Sequence, residues 1–193
     1  MLRFEPDTSH ADWVLHAPVT WQELVTCGPR GHQAEVRVVP LPEDDIAERG
    51  LCSRLIPLLR AATTTPEDCL HALWLGATGI AAGVEPGLPD SVLTGPTVTL
   101  RDETGHPVRE YRLFRGPVDD VGSWGAVDPA TGRSRDRWLP PAHLLWPADR
   151  AWFVASDVDD DDTCVSGRES LVRAIRADPV LTAGSSLGCG RCP

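Results

Sequence analysis

The chain has 193 residues, of which 41% are hydrophobic, and this is enough for one domain with a buried core. Its formal net charge is -10, and its arginines are scattered rather than clustered. Proteins that bind nucleic acids or anionic membranes need clustered positive charge, so both functions are disfavoured. A partner that recognises this chain by charge is expected to be neutral, basic or a metal ion.

The chain contains no lysine and no asparagine, so all 18 of its basic side chains are arginines. The absence of lysine excludes Schiff-base catalysis, a pyridoxal-phosphate anchor and a P-loop. No stretch approaches the roughly 20 apolar residues that a membrane helix needs. The first residues include an early acid and a proline and do not resemble a secretory signal, so we expect a cytoplasmic protein.

Local patterns in the first half of the chain predict short elements separated by proline-rich loops. In chain order these are an irregular segment (1–20), a short helix opened by a Thr20–Glu23 capping box and ended by Gly28, a strand (33–39), a helix (51–62) and a buried strand (69–76).

The second half contains stronger strand signals. It predicts a hairpin (97–101 and 108–115) closed around Thr104-Gly105, a long polar connection (116–141), a buried strand (152–157), a returning strand (163–165) and a helix opened by a Ser166–Glu169 capping box.

Strands and helices alternate without a regular βαβ period, which favours an α+β fold. We expect a mostly antiparallel sheet of about five strands with helices packed on one face. Residues 1–181 are predicted to form a single domain. Residues 182–193 are rich in glycine, serine and cysteine and are predicted to be a flexible tail.

Three segments together resemble a family of uncharacterised actinobacterial proteins. They are TTTPEDC (63–69) with Trp74 and Gly76, LFRGP (113–117), and LWPADRAW (145–152) followed by Ser166-Gly167. The chain departs from the family pattern at Leu70 and in its more acidic run at 159–162. The resemblance implies a single cytosolic domain and carries no activity, cofactor or catalytic residue. By analogy alone, small acidic proteins of this kind sometimes neutralise toxins or act as adaptors.

The acidic run at residues 157–162 suggests a cation site. Asp157, Asp159 and Asp161 match positions 1, 3 and 5 of an EF-hand loop, but Asp162 replaces the glycine at position 6 and Arg168 replaces the final glutamate. An EF-hand is therefore excluded. Two predictions remain: a looser metal site with those three aspartates as ligands, or a solvated turn before a helix.

The cysteines fall into two groups. Cys27, Cys52, Cys69 and Cys164 are expected to carry reduced thiols and to be small buried hydrophobic residues. Cys189 and Cys192 form a C-x-x-C close to the end of the chain, with no helix after it and no second ligand pair for zinc. This tail is predicted to bind a metal or react through its thiols, to be docked or modified by a partner, or to be inert.

Three of the seven tryptophans, Trp124, Trp138 and Trp146, lie in predicted loops close to proline and arginine. Such rings either anchor a protein partner or cover the sheet.

Three functional hypotheses follow. The first is a non-enzymatic protein-interaction domain, either immunity-like or a regulatory adaptor, with a protein partner and no cofactor. The second is a carrier or precursor protein whose Cys189–Cys192 tail is modified or binds metal. The third is a cation-dependent hydrolase that uses Asp157 and Asp159. The sequence does not indicate an oligomeric state.

Overall fold

The computed structural model describes residues 1–15, 21, 23–24, 28–29, 32, 34–39, 54–78, 87–102, 104–136, 139, 141–156 and 162–184. Within these ranges, nine strands and three α-helices are defined from end to end. The strands are β1 (Arg3–Phe4), β2 (Ala34–Val39), β3 (Cys69–Trp74), β4 (Val98–Arg101), β5 (Pro107–Gly116), β6 (Leu144–Pro147), β7 (Trp152–Ser156), β8 (Thr163–Gly167) and β9 (Thr182–Gly184). The helices are α1 (Leu55–Ala61), α2 (Asp90–Leu93) and α3 (Glu169–Ala177).

All nine strands belong to one sheet whose pairings are antiparallel, in the order β1, β5, β3, β6, β7, β8, β2, β9. β4 pairs with β5 at Tyr111 and β1 pairs with it at Phe114, both on the side of β5 away from β3. The nine strands therefore occupy eight positions across the sheet, because β1 and β4 share the position next to β5. The antiparallel prediction is confirmed, and the estimate of about five strands is wrong. β1, β6 and β9 have two to four residues, which is too short to show an alternating pattern.

The three helices lie on one face of the sheet. α1 buries Leu55 and Leu59 there, and α3 buries Leu171, Val172 and Ile175, in one core with the inward side chains of β2, β7 and β8. The spacing of the α3 residues is that of a single helical stripe. No helix among the described residues is long and apolar enough to cross a membrane.

The opposite face is covered by the N-terminal part of the chain, which the sequence predicts to be largely irregular. Ala11, Val14 and Leu24 pack there against a second apolar core that includes Trp146 and Phe153. Trp21, Glu23 and Leu24 have helical conformation, so the prediction of helices on one face is incomplete. Because both faces are covered, every residue of β6, β7 and β8 is buried.

Several predicted elements have nearly the predicted bounds. The strands over 33–39, 69–76, 152–157 and 163–165 correspond to β2, β3, β7 and β8, and the predicted hairpin is the β4–β5 pair.

Two local predictions fail because strands extend further than their sequences indicate. The residue that caps α3 is Arg168, without a side-chain hydrogen bond, whereas Ser166 lies inside β8 and its hydroxyl bonds to His32. Thr182–Gly184, the first residues of the predicted tail, form β9 on the edge of the sheet. Main-chain pairing with β2 holds these residues at the edge of the sheet.

Candidate functional site

The three segments that carry the family resemblance meet at one end of the sheet. Cys69, the first residue of β3, pairs with Gly116 at the end of β5 and with Pro147 at the end of β6. The turn before β3 (63–68) and the turn after β6 (148–151) therefore lie side by side. This end of the sheet is the strongest candidate for a functional site among the described residues.

Asp149 joins the two turns. Its carboxylate accepts hydrogen bonds from the Thr63 hydroxyl (2.7 Å), from the amide and hydroxyl of Thr64 (2.7 Å each) and from the amide of Ala151 (3.1 Å). Its own amide donates to the Thr65 hydroxyl at 3.1 Å. Partial burial alone would raise the pKa of Asp149, but the hydrogen bonds from Thr64, Thr63 and Ala151 together lower it. The carboxylate is therefore ionised and fully occupied at neutral pH.

Arg115 forms the second joint, on the other side of β3. Its Nε and Nη2 donate to the two carboxylate oxygens of Asp68, the latter at 2.7 Å. Nη1 lies 3.6 Å from a carboxylate oxygen of Glu5 and 3.2 Å from Nε2 of His10. The hydrogen bonds from Arg115 lower the pKa of Asp68, and those same bonds raise the pKa of Arg115. Such a bidentate pair positions the two strands more specifically than a single contact does.

Carboxylates outnumber the cations that contact them at this end of the sheet. Glu67, Asp68, Asp119, Asp120 and Asp149 form a group that we call the acidic end. Arg60 contacts Glu67 and Asp119, Arg115 contacts Asp68, and the amino group of Met1 contacts Asp120. The side chains of Glu67 and Asp119 are 63% and 51% exposed. The acidic end can therefore bind a positively charged group, but its lowered pKa values at Asp68 and Asp149 do not suit proton transfer near pH 7.

The described thiols are poorly reactive. Cys69 and Cys164 are free and buried, and burial raises the pKa of each to about 12. For Cys69, neighbouring carboxylates, Asp68 first among them, contribute to this raised pKa after burial. Since the thiolate is the reactive form of cysteine, neither residue is suited to nucleophilic chemistry.

His71 is completely buried in β3, and its ring nitrogens lack hydrogen bonds of normal geometry. Burial lowers its pKa to about 4, an effect larger than the opposing influence of the Gly116 and Pro117 carbonyl groups nearby. The described residues contain no group of three or more His, Cys, Asp or Glu side chains placed to hold a metal ion.

Most of the sequence-predicted site residues lie outside the described residues: Asp157, Asp159, Asp161, Trp138, Cys189 and Cys192. Their predicted roles stay predictions. Asp162, at the end of the same acidic run, is described, and both its carboxylate oxygens accept from Nη1 of Arg37, at 2.8 and 3.2 Å.

Trp124 and Trp146 lie inside the protein. Each is 2% exposed, Trp124 packs edge-on against Phe114 at 4.8 Å between ring centroids, and Trp146 contacts Phe153. Trp146 belongs to β6 rather than to a loop. Trp124 matches the hypothesis of a ring that covers the sheet, because it follows β5 and folds back onto it. Neither ring is presented at the surface as an anchor for a partner.

Sequence reasoning missed the pairing of His32 with Ser166, which are 134 positions apart and have no shared motif. It also missed the role of Asp149, although the resemblance pointed to both segments that Asp149 joins. Comparison of the chain with protein-family models, with curated proteins and with solved structures gives no match.

Proposed function

We propose that this protein is a non-enzymatic protein-interaction domain, immunity-like or a regulatory adaptor, whose partner presents a basic surface to the acidic end. The observation that carries the proposal is that polar side chains of the three converging segments hydrogen-bond to one another. Thr63 and Thr64 both donate to Asp149, and Arg115 donates to Asp68. Catalysis needs an accessible nucleophile or base with a pKa suited to its task.

The state of the reactive side chains supports the same proposal. The two described thiols have pKa values of about 12. Ser166 is fully buried, and the neutral ring of His71 is enclosed in the core. Among the described residues these groups stabilise or fill the fold, which supports recognition by the surface as the function.

Charge supports a basic partner. The protein carries a net charge of -10, and the acidic end keeps its charge through the neutral range because the pKa values of Asp68 and Asp149 are lowered. Exposed carboxylates such as Glu67 and Asp119 steer an oppositely charged partner and set its orientation more than they add affinity. Binding is therefore expected to weaken as salt screens the charges.

Affinity capture from the native host tests the proposal. The wild-type protein is used as bait at about 50 mM and about 500 mM salt, where the Debye length falls severalfold. The double variant Glu67→Arg/Asp119→Arg reverses two exposed charges without touching the core. Glu110→Arg is the control, because Glu110 is exposed on β5 near the β4–β5 turn, towards the opposite end of that strand from Gly116.

We expect a stoichiometric partner with wild type and with Glu110→Arg at low salt, and its loss with the double variant. The captured partner, once purified, must bind the wild-type protein directly. Failure of the wild-type protein to retain any stoichiometric partner would reject the interaction function. Retention by the double variant would reject the acidic end as the binding surface.

A further inference from the structure

The N-terminal part of the chain covers the second face of the sheet and is attached at two places. We define the N-terminal cover as the described residues from Asp7 to His32. At its start, β1 pairs with β5, and the amide of Glu5 donates to the Leu113 carbonyl at 2.9 Å. At its end, His32 is hydrogen-bonded to the sheet. Between these attachments, Val14 and Leu24 are completely buried.

His32 bridges two parts of the sheet. Its Nδ1 lies 2.7 Å from the Ser166 hydroxyl on β8, and its Nε2 lies 3.2 Å from the backbone carbonyl of Arg150 in the turn before β7. A carbonyl oxygen only accepts, so Nε2 carries the ring proton and Nδ1 accepts the proton of the Ser166 hydroxyl. The ring also contacts Trp13 of the cover edge-on, with 5.4 Å between centroids.

Gly28 closes this site from the cover. Its φ is +67°, and a Cβ placed on it would lie 1.9 Å from the Ser166 hydroxyl oxygen. The amide of Gly28 donates to the Leu24 carbonyl at 3.1 Å, which ties Gly28 to the buried Leu24 of the cover. Ser166 is fully buried. The main chain of the cover therefore encloses the Ser166 hydroxyl together with His32. Among the described residues, His32 is the only side-chain hydrogen-bond partner of that hydroxyl.

We propose that the hydrogen bond between His32 and Ser166 is an acid-sensitive latch, which holds the N-terminal cover on the sheet and releases its His32 end when that ring binds a proton.

The chemistry of the imidazolium explains the release. A doubly protonated ring donates from both nitrogens, so the proton of the Ser166 hydroxyl loses its acceptor in a site closed by Gly28. The added charge would lie in a partly buried site against the buried Ser166, which costs desolvation energy. Burial already lowers the pKa of His32, more than its contact with the Arg150 carbonyl raises it. A free ring with the ordinary value of 6.5 takes up the proton more readily, so protonation favours the open state.

The charged groups around the site do not reverse this effect. Arg150 lies with its guanidinium carbon 5.5 Å from the centre of the Trp13 ring, which in turn contacts His32, so this cation would repel the imidazolium. Glu35 stands opposite Ser166 on β2, but the pKa of His32 is lowered in spite of it. β7 contributes the uncharged Phe153, which contacts the Trp13 ring.

The other end of the cover responds differently. His10 lies 4.0 Å from a carboxylate oxygen of Glu5, 3.7 Å from one of Asp7 and 3.2 Å from Arg115. At this end β1 is held by main-chain pairing with β5, which does not titrate. We therefore expect the cover to open from the His32 end while β1 stays on the sheet.

Hydrogen exchange of the whole protein tests the latch at pH 7.5 and 5.5, with rates corrected for the intrinsic effect of pH. The reporters are the amides of Val14 and Leu15, which donate to the Ala11 carbonyl, and that of Gly28. Amides of β7 are the internal reference. At pH 5.5 an open ring with a pKa of 6.5 is about tenfold more protonated than neutral, so opening of the cover should rise by up to about tenfold relative to β7.

The variant His32→Gln, which does not titrate, should show no such rise, whereas His106→Gln on the exposed hairpin should behave as wild type. An unchanged cover in the wild-type protein, or an equal rise in His32→Gln, would overturn the proposal. If His32→Gln does not fold, NMR of the wild-type protein decides instead. The titration midpoint of the His32 ring must then coincide with that of cover opening, and different midpoints overturn the latch.

Discussion

Asp149 accepts hydrogen bonds from both the amide and the hydroxyl of Thr64, each at 2.7 Å, across 85 positions of the chain. This contact ties the turn before β3 to the turn after β6. Together with the pair of Arg115 and Asp68, it explains why three separate segments converge at one end of the sheet. The convergence is a structural joint, and the carboxylates left exposed around it form the surface that we assign to a partner.

Replacing Asp149 should destabilise the fold. Asp149→Ala removes the acceptor of four donors and is expected to lower the free energy of unfolding by about 1–3 kcal/mol in urea at pH 7. Because the folded-state pKa of Asp149 is lowered, its stabilisation is present above the ordinary value of 3.8 and is lost as the pH falls below it. The difference between wild type and variant should shrink accordingly in acid.

Asp102→Ala is the matched control, since Asp102 also has a lowered pKa and accepts several hydrogen bonds, but only from residues within the exposed hairpin tip. Asp102→Ala should lower the free energy of unfolding less than Asp149→Ala does, because Asp102 closes only a local turn. Equal losses would show that Asp149 does not join distant segments energetically.

His71 should make the fold sensitive to acid. Its folded-state pKa of about 4 lies below the ordinary 6.5, so the unfolded chain binds a proton first and stability falls as the pH decreases from about 6.5 to 4. At pH 5 this amounts to about 2 kcal/mol relative to pH 7.

His71→Leu removes the titrating ring and its unpaired nitrogens, so it should reduce the loss of stability between pH 7 and 5 by about 2 kcal/mol, measured by urea denaturation. His106→Gln should leave that loss unchanged, because His106 is 80% exposed. An undiminished pH dependence in His71→Leu would mean that the buried ring does not control it.

Gly28 should tolerate no side chain. Gly28→Ala adds the strain of a left-handed backbone, about 1–2 kcal/mol, to a clash with Ser166. Gly132→Ala separates the two effects, since Gly132 has the same φ of +67° and nothing within 4 Å of an added Cβ. We expect Gly28→Ala to lower the melting temperature clearly more than Gly132→Ala. Equal shifts would argue that the contact with Ser166 yields at little cost.

Trp124 should contribute to the stability of the fold rather than directly to partner binding. Trp124→Ala leaves a large cavity against Phe114 and is expected to cost about 3–5 kcal/mol in chemical denaturation. Trp13→Ala, which removes a half-buried ring on the other face, should cost less. If Trp124→Ala keeps wild-type stability but no longer binds the partner, Trp124 would instead be an interface anchor.

The sequence predicted best where a pattern repeats within a few residues. Alternation and β-branching located β2, a run apolar on both faces located β7, the turn at Thr104-Gly105 located the β4–β5 hairpin, and leucine spacing located α1. The sequence predictions failed where a strand is short, or where the same side chain fits two different local structures. Ser166 fits a capping box, yet strand pairing with Phe153 holds it inside β8. Thr182–Gly184 has no apolar pattern, and only its partner on β2 makes it a strand.

The sequence by itself determined the class of fold, the excluded lysine chemistries and the acidic charge, because composition and local periodicity act over a few residues. Only the tertiary structure decided that Asp149 faces Thr64, that His32 faces Ser166, and that Trp124 and Trp146 are buried. These contacts depend on strand order and register, which the packing of both faces of the sheet sets at once, and no short stretch of the chain contains that information.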